Sequence, residues 1–369
     1  MTRNPFISFV IPCYNVESYV SQTIDSILNQ SVKSVEGFDR SFEIICVNDG
    51  STDGTLAILQ QYASRHDFIS VLTQANSGLS AARNTGFRHA TGKYTCFLDS
   101  DDWIASTFVE DIAVNDRTHS FDLALVNARV YDQVSRSYHA FYDNEFFERL
   151  CPVGRSALIA PRIHPDAFLL EPNTSRRVIN TAFARFIKLE YPVGLLYEDY
   201  PVHFSTFMQA GSVLLINKPL YFYRVGRSGK LTERNDKRRF DIVSIFRQTA
   251  QWLALQNAAP DVAFAFLRVA SRSITWCLDS VPRYLLPEFN RAVVDFLNEC
   301  PQWWLDGFYK SNVDTALKFR IFAMKHGFFS RYRAMSYEKR YKINESLRHL
   351  ARKQFMKSAV RGLQALRTK

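Results

Sequence analysis

Four residues, Asp99-Ser100-Asp101-Asp102, end the apolar run Tyr94–Leu98. Alternate side chains of an extended strand share a face, so Asp99 and Asp101 project together. Carboxylates that converge at a strand end repel one another unless a cation joins them. Hard divalent ions take oxygen ligands and keep waters and substrate phosphates in the remaining positions. The chemistry implied is a Mn²⁺ or Mg²⁺ ion on Asp99 and Asp101, bridging a diphosphate whose charge grows as a bond to it breaks. Asp102 has a plainer reading, as the cap of a helix begun by Trp103-Ile104.

Three more polar clusters follow short apolar runs: Cys13-Tyr14-Asn15, Asn48–Gly54 and Gln74–Gly78. Asn48–Gly54 reads either as a tight turn closed by side-chain to backbone bonds or as a ligand edge where Asp49 accepts from a nucleobase N–H. In Asn76-Ser77-Gly78 the glycine lets backbone approach a ligand. Arg83 suits a carboxylate network or a phosphate, with a plain surface arginine as the alternative. Arg224, Arg227 and Lys230 lie in or beside VGRSGKL, a basic stretch read either as a loop closing on a diphosphate or as a solvated loop. Neither GxGxxG nor a P-loop lysine motif is present.

The elements that must position these groups alternate strand and helix. Ile7–Ile11, Glu43–Val47, Phe68–Leu72 and Tyr94–Leu98 read as short strands. Glu17–Gln30, the stretch from Leu56 and Ser80–Ala90 read as the helices between them. Such a pattern predicts an α/β fold with a mostly parallel central sheet, ligands lying beyond the carboxyl ends of the strands. Every polar cluster above falls there. Residues 121–131 and 213–225 read as further strands, Pro219 marking an edge or a break. Residues 240–276 and 290–322 read as helices, with Trp252, Trp276, Trp303 and Trp304 in packing roles.

The 369 residues carry a net charge of +10. Residues 331–369 hold twelve Lys/Arg against two Glu, so the first 330 residues are formally neutral. That tail offers two short apolar faces, Ile343, Leu347 and Leu350, then Phe355, Ala359, Leu363 and Leu366, and suits an anionic membrane surface. Packing on a domain, or a basic solubilising end, is the alternative. With the charge confined to the tail and no recognition motif, nucleic acid is excluded as a partner. The opening apolar run is too short for a signal peptide, and no stretch is long enough to span a membrane. The six cysteines form no CxxC pair and read as buried free thiols of a reducing cytoplasm.

The runs FVIPCYNVESYVSQTIDSILNQS, EIICVNDGSTDGT, QANSGLSAARNTG and ATGKYTCFLDSDD resemble, in order and spacing, the amino-terminal half of family 2 glycosyltransferases. The resemblance covers residues 6–103 and is close to the capsule, lipopolysaccharide and exopolysaccharide transferases of bacteria. It implies the GT-A nucleotide-sugar-binding fold and an inverting transfer from a nucleoside-diphosphate sugar, UDP favoured, to a glycan or lipid-linked acceptor. Pro12, Tyr14, Glu17 and Asp49 then border the nucleoside and Arg83 orders the nucleotide side. Asp99 contacts ribose or diphosphate, and Asp101 is the principal ligand of the DxD element. Many members have Asp-Asp-Gly-Ser where this chain has Asn48-Asp49-Gly50-Ser51; the second acid is retained. Glu198-Asp199 resembles the family's Glu-Asp element, which implies Asp199 as catalytic base, with Glu198 either tuning and orienting it or binding acceptor hydroxyls. Both also read as the cap of a helix running through His203 and Phe207, Pro201 standing at an early position. An Asn-Lys pair often found there is Asn180-Thr181 in this chain.

The expected organisation is a nucleotide-binding half over 1–105, an acceptor half over 106–235, a helical region over 236–330 and the basic tail over 331–369. The helical region either dimerises or completes the acceptor site. The expected location is the cytoplasm, peripheral on the inner face of the membrane. Two alternatives stay open: a nucleotidyltransferase making activated sugars, which CYNVES disfavours for want of a glycine-rich basic loop, and a binding module without catalysis.

Overall fold

The computed structural model describes residues 5–31, 42–227 and 236–329. Lys230 and the basic tail lie outside them. The chain divides into two compact units, Met1–Glu233 and Arg234–Lys369.

The described part of the first unit is built on ten strands, β1 (Ile7–Cys13), β2 (Phe42–Asn48), β3 (Ile69–Thr73), β4 (Tyr94–Phe97), β5 (Trp103–Ile104), β6 (Leu123–Asp132), β7 (Ser137–Ala140), β8 (Ser156–Ile159), β9 (Arg177–Asn180) and β10 (Val213–Val225). Their order is β3-β2-β1-β4-β9-β6-β10-β5, with β7 on β6 and β8 on β10. The amino-terminal four are parallel. Past β4 the sheet is mixed, since β9 runs antiparallel to both β4 and β6 while β6 and β10 are parallel. The parallel character read from the sequence therefore holds for the first half alone.

Strand β1 is apolar almost throughout because helices cover it on both sides. From α1 (Val20–Leu28), Val20, Ile24 and Ile27 join Phe9 and Ile11 in one core; each such burial contributes about 1.5–3 kcal/mol. On the other face α3 (Leu79–His89) comes so close that a Cβ on Gly86 would meet Val10 Cγ1 at 2.3 Å. Between them in sequence lies α2 (Thr55–Arg65). The first unit is completed by α4 (Phe108–Asp116), α5 (Asn144–Leu150), α6 (Thr181–Phe186) and α7 (Asp199–Gln209).

Two local expectations change. Trp103-Ile104 is not a helix start but a strand antiparallel to β10, so Asp102 caps nothing there. Of the two readings of Pro219 the break is correct: β10 lies between β6 and β5, and its register with β6 slips on both sides of Pro219.

The described part of the second unit is helical: α8 (Asp241–Leu255), α9 (Pro260–Ser280), α10 (Leu286–Glu299), α11 (Gln302–Lys310) and α12 (Thr315–Lys325). Phe266 packs edge-on against Phe296 and Trp304, and Trp304 is buried, whereas Trp276 and Trp303 stand half-exposed. All six cysteines are free and buried. Among the described residues no helix is long and apolar enough to cross a membrane.

Candidate active site

The loops after β1 and β2 are stapled together by side chains. Asn15 Oδ1 accepts from Thr52 N (2.8 Å), Glu17 Oε2 from Gly54 N (2.6 Å), and Thr55 Oγ1 from Val16 N (2.9 Å). Asn48 Oδ1 accepts from Ser51 N (3.1 Å), a bond an aspartate would make equally well. Gly50 sits at φ +71°, and a Cβ there would lie 2.9 Å from Asn76 N. Asp49 is buried, and its carboxylate closes the turn before α3: Oδ1 accepts from Gln74 Nε2 (2.7 Å) and Ser77 N (2.9 Å), Oδ2 from Gly78 N (2.8 Å). The turn bonds of the Asn48–Gly54 cluster are thus made, both Asp49 oxygens are engaged by protein donors, and Tyr14, next to Asn15, stands half-exposed. Pro12 is buried in β1.

Arg83 is the centre of a second cluster. The residue is 1% exposed, and its guanidinium is bound by three carboxylates: Nη2 to Asp99 Oδ1 at 2.8 Å, Nη1 to Glu198 Oε1 at 2.6 Å and to Asp199 Oδ1 at 3.3 Å. The Tyr191 ring lies 5.2 Å from the guanidinium, its backbone fixed by paired bonds with the Asn84 amide. Burial alone would lower the Arg83 pKa; Asp99, Asp199 and Glu198 outweigh it and hold the cation well above its ordinary value. Burial and the neighbouring Asp199 push Glu198 up to about 7 against the pull of Arg83. Burial also raises Asp199, opposed by Arg83 and by the Thr174 hydroxyl. One guanidinium cannot neutralise three carboxylates, so the cluster favours a shared proton or a further cation.

The DSDD turn is gripped from below by β10. Asp102 Oδ1 accepts from Arg224 N (2.8 Å) and Oδ2 from the Tyr221 hydroxyl. Arg224 belongs to β10 rather than to the loop after it. Its side chain is buried, donating from Nε to Asp101 O (2.7 Å) and from Nη2 to Gln22 Oε1 (2.5 Å), with Tyr19, Trp103 and Tyr131 around it. Arg227, three residues on, donates from Nε to Asp101 Oδ2. Arg224 therefore braces the turn, and Arg227 faces the carboxylate.

Among the described residues no three His, Cys, Asp or Glu side chains form a metal cluster. Asp99 and Asp101 nonetheless fit a hard divalent ion. Each keeps one carboxylate oxygen without a hydrogen-bond partner among the described residues. Two protein carboxylates are what Mg²⁺ commonly takes when phosphates and waters fill its other positions.

Glu198 and Asp199 stand at the start of α7, where their plainer reading as a cap put them, but neither makes a side-chain capping bond. Several residues of the cluster escaped the sequence reading. Thr174 Oγ1 donates to Asp199 Oδ1 (2.5 Å), and Ser175 Oγ accepts from Asp99 N (3.2 Å). Arg176 and Arg177 are fully buried: Arg176 pairs with Asp143 at 2.6 Å, and Arg177 Nη2 donates to His203 Nδ1. Two adjacent arginines leading into an apolar strand were the available signal.

Residues 8–170 match the model of Glycosyl transferase family 2. The chain is 30% identical over 235 residues to glycosyltransferase GlyA of Streptococcus pneumoniae, covering 61% of this chain and 31% of that protein. It is 30% identical over 237 residues to the uncharacterized glycosyltransferase EpsJ of Bacillus subtilis, covering 60% of this chain and 61% of that one. The chain thus spans less than two thirds of either relative. A crystal structure of S. aureus TarS 1-349 in complex with UDP-GlcNAc superposes with a TM-score of 0.72 over 89% of both chains at 19% identity, a likeness of fold alone. Over residues 8–170 the chain is thus similar to glycosyl transferase family 2, and its fold is the GT-A fold.

Proposed function

We propose that this protein is an inverting, metal-assisted glycosyltransferase. It moves a sugar from a nucleoside diphosphate, UDP by preference, to a hydroxyl of a glycan or lipid-linked glycan in surface-polysaccharide synthesis. The observation that carries the reading is the Arg83 guanidinium, where Asp99, Glu198 and Asp199 meet from sequence separations of 16, 115 and 116. A structural ion pair needs one carboxylate; three around one cation, two with raised proton affinity, suit proton transfer beside a growing negative charge. UDP is supported by the TarS likeness, since that protein was crystallised with UDP-GlcNAc.

Asp99 and Asp101 would hold Mn²⁺ or Mg²⁺. When bound, the ion supplies positive charge for the departing diphosphate. Arg227, now on Asp101, is within reach of the same charge. Asp199 takes the acceptor proton through Oδ2, which has no hydrogen-bond partner among the described residues, while Oδ1 stays on Arg83 and Thr174. Its raised affinity for a proton, caused by burial, makes it a stronger base than an ordinary aspartate. Glu198 shares the guanidinium and tunes that affinity. Pro12, Tyr14, Glu17, Asp49, Asn76 and Gly78 border the nucleoside. Residues 331–369, with twelve Lys/Arg against two Glu, offer a basic surface to anionic lipid.

The test is a panel of nucleoside-diphosphate sugars with Mn²⁺, read by release of the nucleoside diphosphate and by the anomeric configuration of the product. Release from at least one donor, lost in Asp101→Ala, is expected. Retained configuration, or pyrophosphate release from a sugar 1-phosphate and nucleoside triphosphate, overturns the reading. Truncation after residue 330 should abolish binding to anionic liposomes and spare donor hydrolysis; unchanged binding removes the membrane assignment.

A further inference from the structure

One oxygen of Asp199 is occupied twice. Thr174 Oγ1 donates to Oδ1 at 2.5 Å, and Arg83 Nη1 approaches the same atom at 3.3 Å. Oδ2 has no partner among the described residues, and 26% of the side chain is open to solvent. The Tyr191 hydroxyl donates to Thr174 Oγ1 (3.4 Å), which leaves the threonine's own proton for Asp199.

Thr174 is held by a turn that cannot follow the aspartate if it rotates. It is buried in the one-turn 3-10 helix Thr174–Arg176, where Asn173 Oδ1 accepts from Arg176 N (3.3 Å). Ser175, next along, takes the backbone N–H of Asp99. Arg176 forms two bonds to Asp143, at 2.9 and 2.6 Å, and both side chains are fully buried. Asp143 Oδ2 also accepts from Glu171 N (2.6 Å), closing the segment on itself. Arg177 then anchors on His203, whose Nδ1 must be the acceptor because a guanidinium only donates. A bidentate buried pair resists rearrangement, since breaking it strands a charge.

We propose that Thr174 is the positioning residue of the base: by holding Oδ1 it turns Oδ2 toward the acceptor hydroxyl. This rests on the reading of Asp199 as base. Arg83 alone does not define the carboxylate's orientation, because it serves three carboxylates and meets Asp199 at the longest of the three distances. The hydroxyl bond is short, directed and backed by an immobilised turn. Reacting groups displaced by about an ångström lose on the order of a hundredfold in rate, so a fixed rotamer is worth having here.

The test compares Thr174→Val and Thr174→Ala, which remove the hydroxyl, with Thr174→Ser, which keeps it, on the same panel of nucleoside-diphosphate sugars with Mn²⁺. Asp199→Asn is run beside them. In the Val and Ala variants kcat should fall about ten- to a hundredfold with donor KM within about twofold, and Ser should restore most of it. If Val fails to fold, the Ala–Ser pair makes the same comparison. A Ser variant as slow as Ala, or Val and Ala variants at full turnover while Asp199→Asn is inactive, overturns the proposal. An Asp199→Asn enzyme at full turnover defeats the base reading itself, whatever Thr174 does.

Discussion

At the carboxyl ends of β1, β2 and β3 the polar side chains are bound to backbone N–H groups of neighbouring loops. Between Glu171 and Asp199 they are bound to buried guanidinium groups instead. On the first side Glu17 and Asn15 are exposed and Asp53 is half-buried, and their bonds join loops 36 or 37 residues apart. On the second, Arg83, Arg176 and Arg177 are almost wholly enclosed, and Arg83 reaches across 115 residues. The difference is one of tolerance. Water can replace a lost partner at an exposed loop, whereas a buried charge without its counter-charge has nowhere to turn.

The strongest way to break this contrast is Arg83→Met. It leaves three carboxylates facing one another, and removal of one partner from a buried ion cluster costs about 3–5 kcal/mol. Donor turnover should vanish and the urea midpoint should drop by a matching amount. A variant as stable as the parent would mean that the cluster is wet and that the two regions are alike.

The regions should also titrate in opposite senses. Glu198 rises from 4.5 to about 7 through burial, so its stabilising share is complete below pH 4.5 and is lost as pH climbs through 7. Asp53 moves the other way: bonds from Thr55 and Glu17 outweigh its desolvation and lower it from 3.8. Its share is present above 3.8 and is lost in acid. Glu198→Gln should therefore remove a downward slope of at most about 1.4 kcal/mol per pH unit between pH 4.5 and 7. Asp53→Asn should change only the acid limb. Stability curves measured from pH 3 to 8 check both, and a Glu198→Gln curve parallel to the parent's removes the buried-acid account.

Gly50→Ala sharpens the contrast from the loop side. It combines a positive φ with a 2.9 Å approach to Asn76 N, and a left-handed conformation costs a non-glycine residue about 1–2 kcal/mol. A calorimetric loss of that size is expected, together with a raised donor KM. No loss at all would mean the turn relaxes without cost.

These regions were unequally legible. The loop side is written in contiguous runs: apolar strand, polar turn, helix, with Asp49, Gly50 and Gly78 at fixed offsets. Hence Ile7–Cys13, Phe42–Asn48 and the elements after them were readable from period and turn chemistry. On the buried side Asp99 and Glu198-Asp199 were visible as acids and Arg83 as a guanidinium suited to a carboxylate network, but not that these were the acids it joins. Thr174, Ser175 and Asp143 act through partners that no local pattern names. Asp102 misled because the two residues after it form a strand only by pairing with Phe222 and Tyr221, more than a hundred residues away. Arg224 misled because charge suggested solvent, whereas its stem and head are enclosed by Tyr19, Trp103 and Tyr131.

The smallest expected effect is at Glu17, and it isolates what the loop staples contribute. Glu17 Oε2 accepts from Gly54 N at 2.6 Å, while the Glu17 N–H donates to Asp53 Oδ2 at 3.2 Å and survives side-chain truncation. In Glu17→Ala the Gly54 N–H is exposed enough to take water, so stability should change by less than about 1 kcal/mol. The stretch Ser51–Thr55 loses one of its six hydrogen bonds to residues 15–17, and a nucleoside docked there pays more to order it. Donor KM should rise about threefold at constant kcat, because the loops bind ground state and transition state alike. A fall in kcat at saturating donor with KM unchanged would move Glu17 from binding into the chemical step, and the division between a replaceable loop side and an irreplaceable buried side would fail where it is drawn most finely.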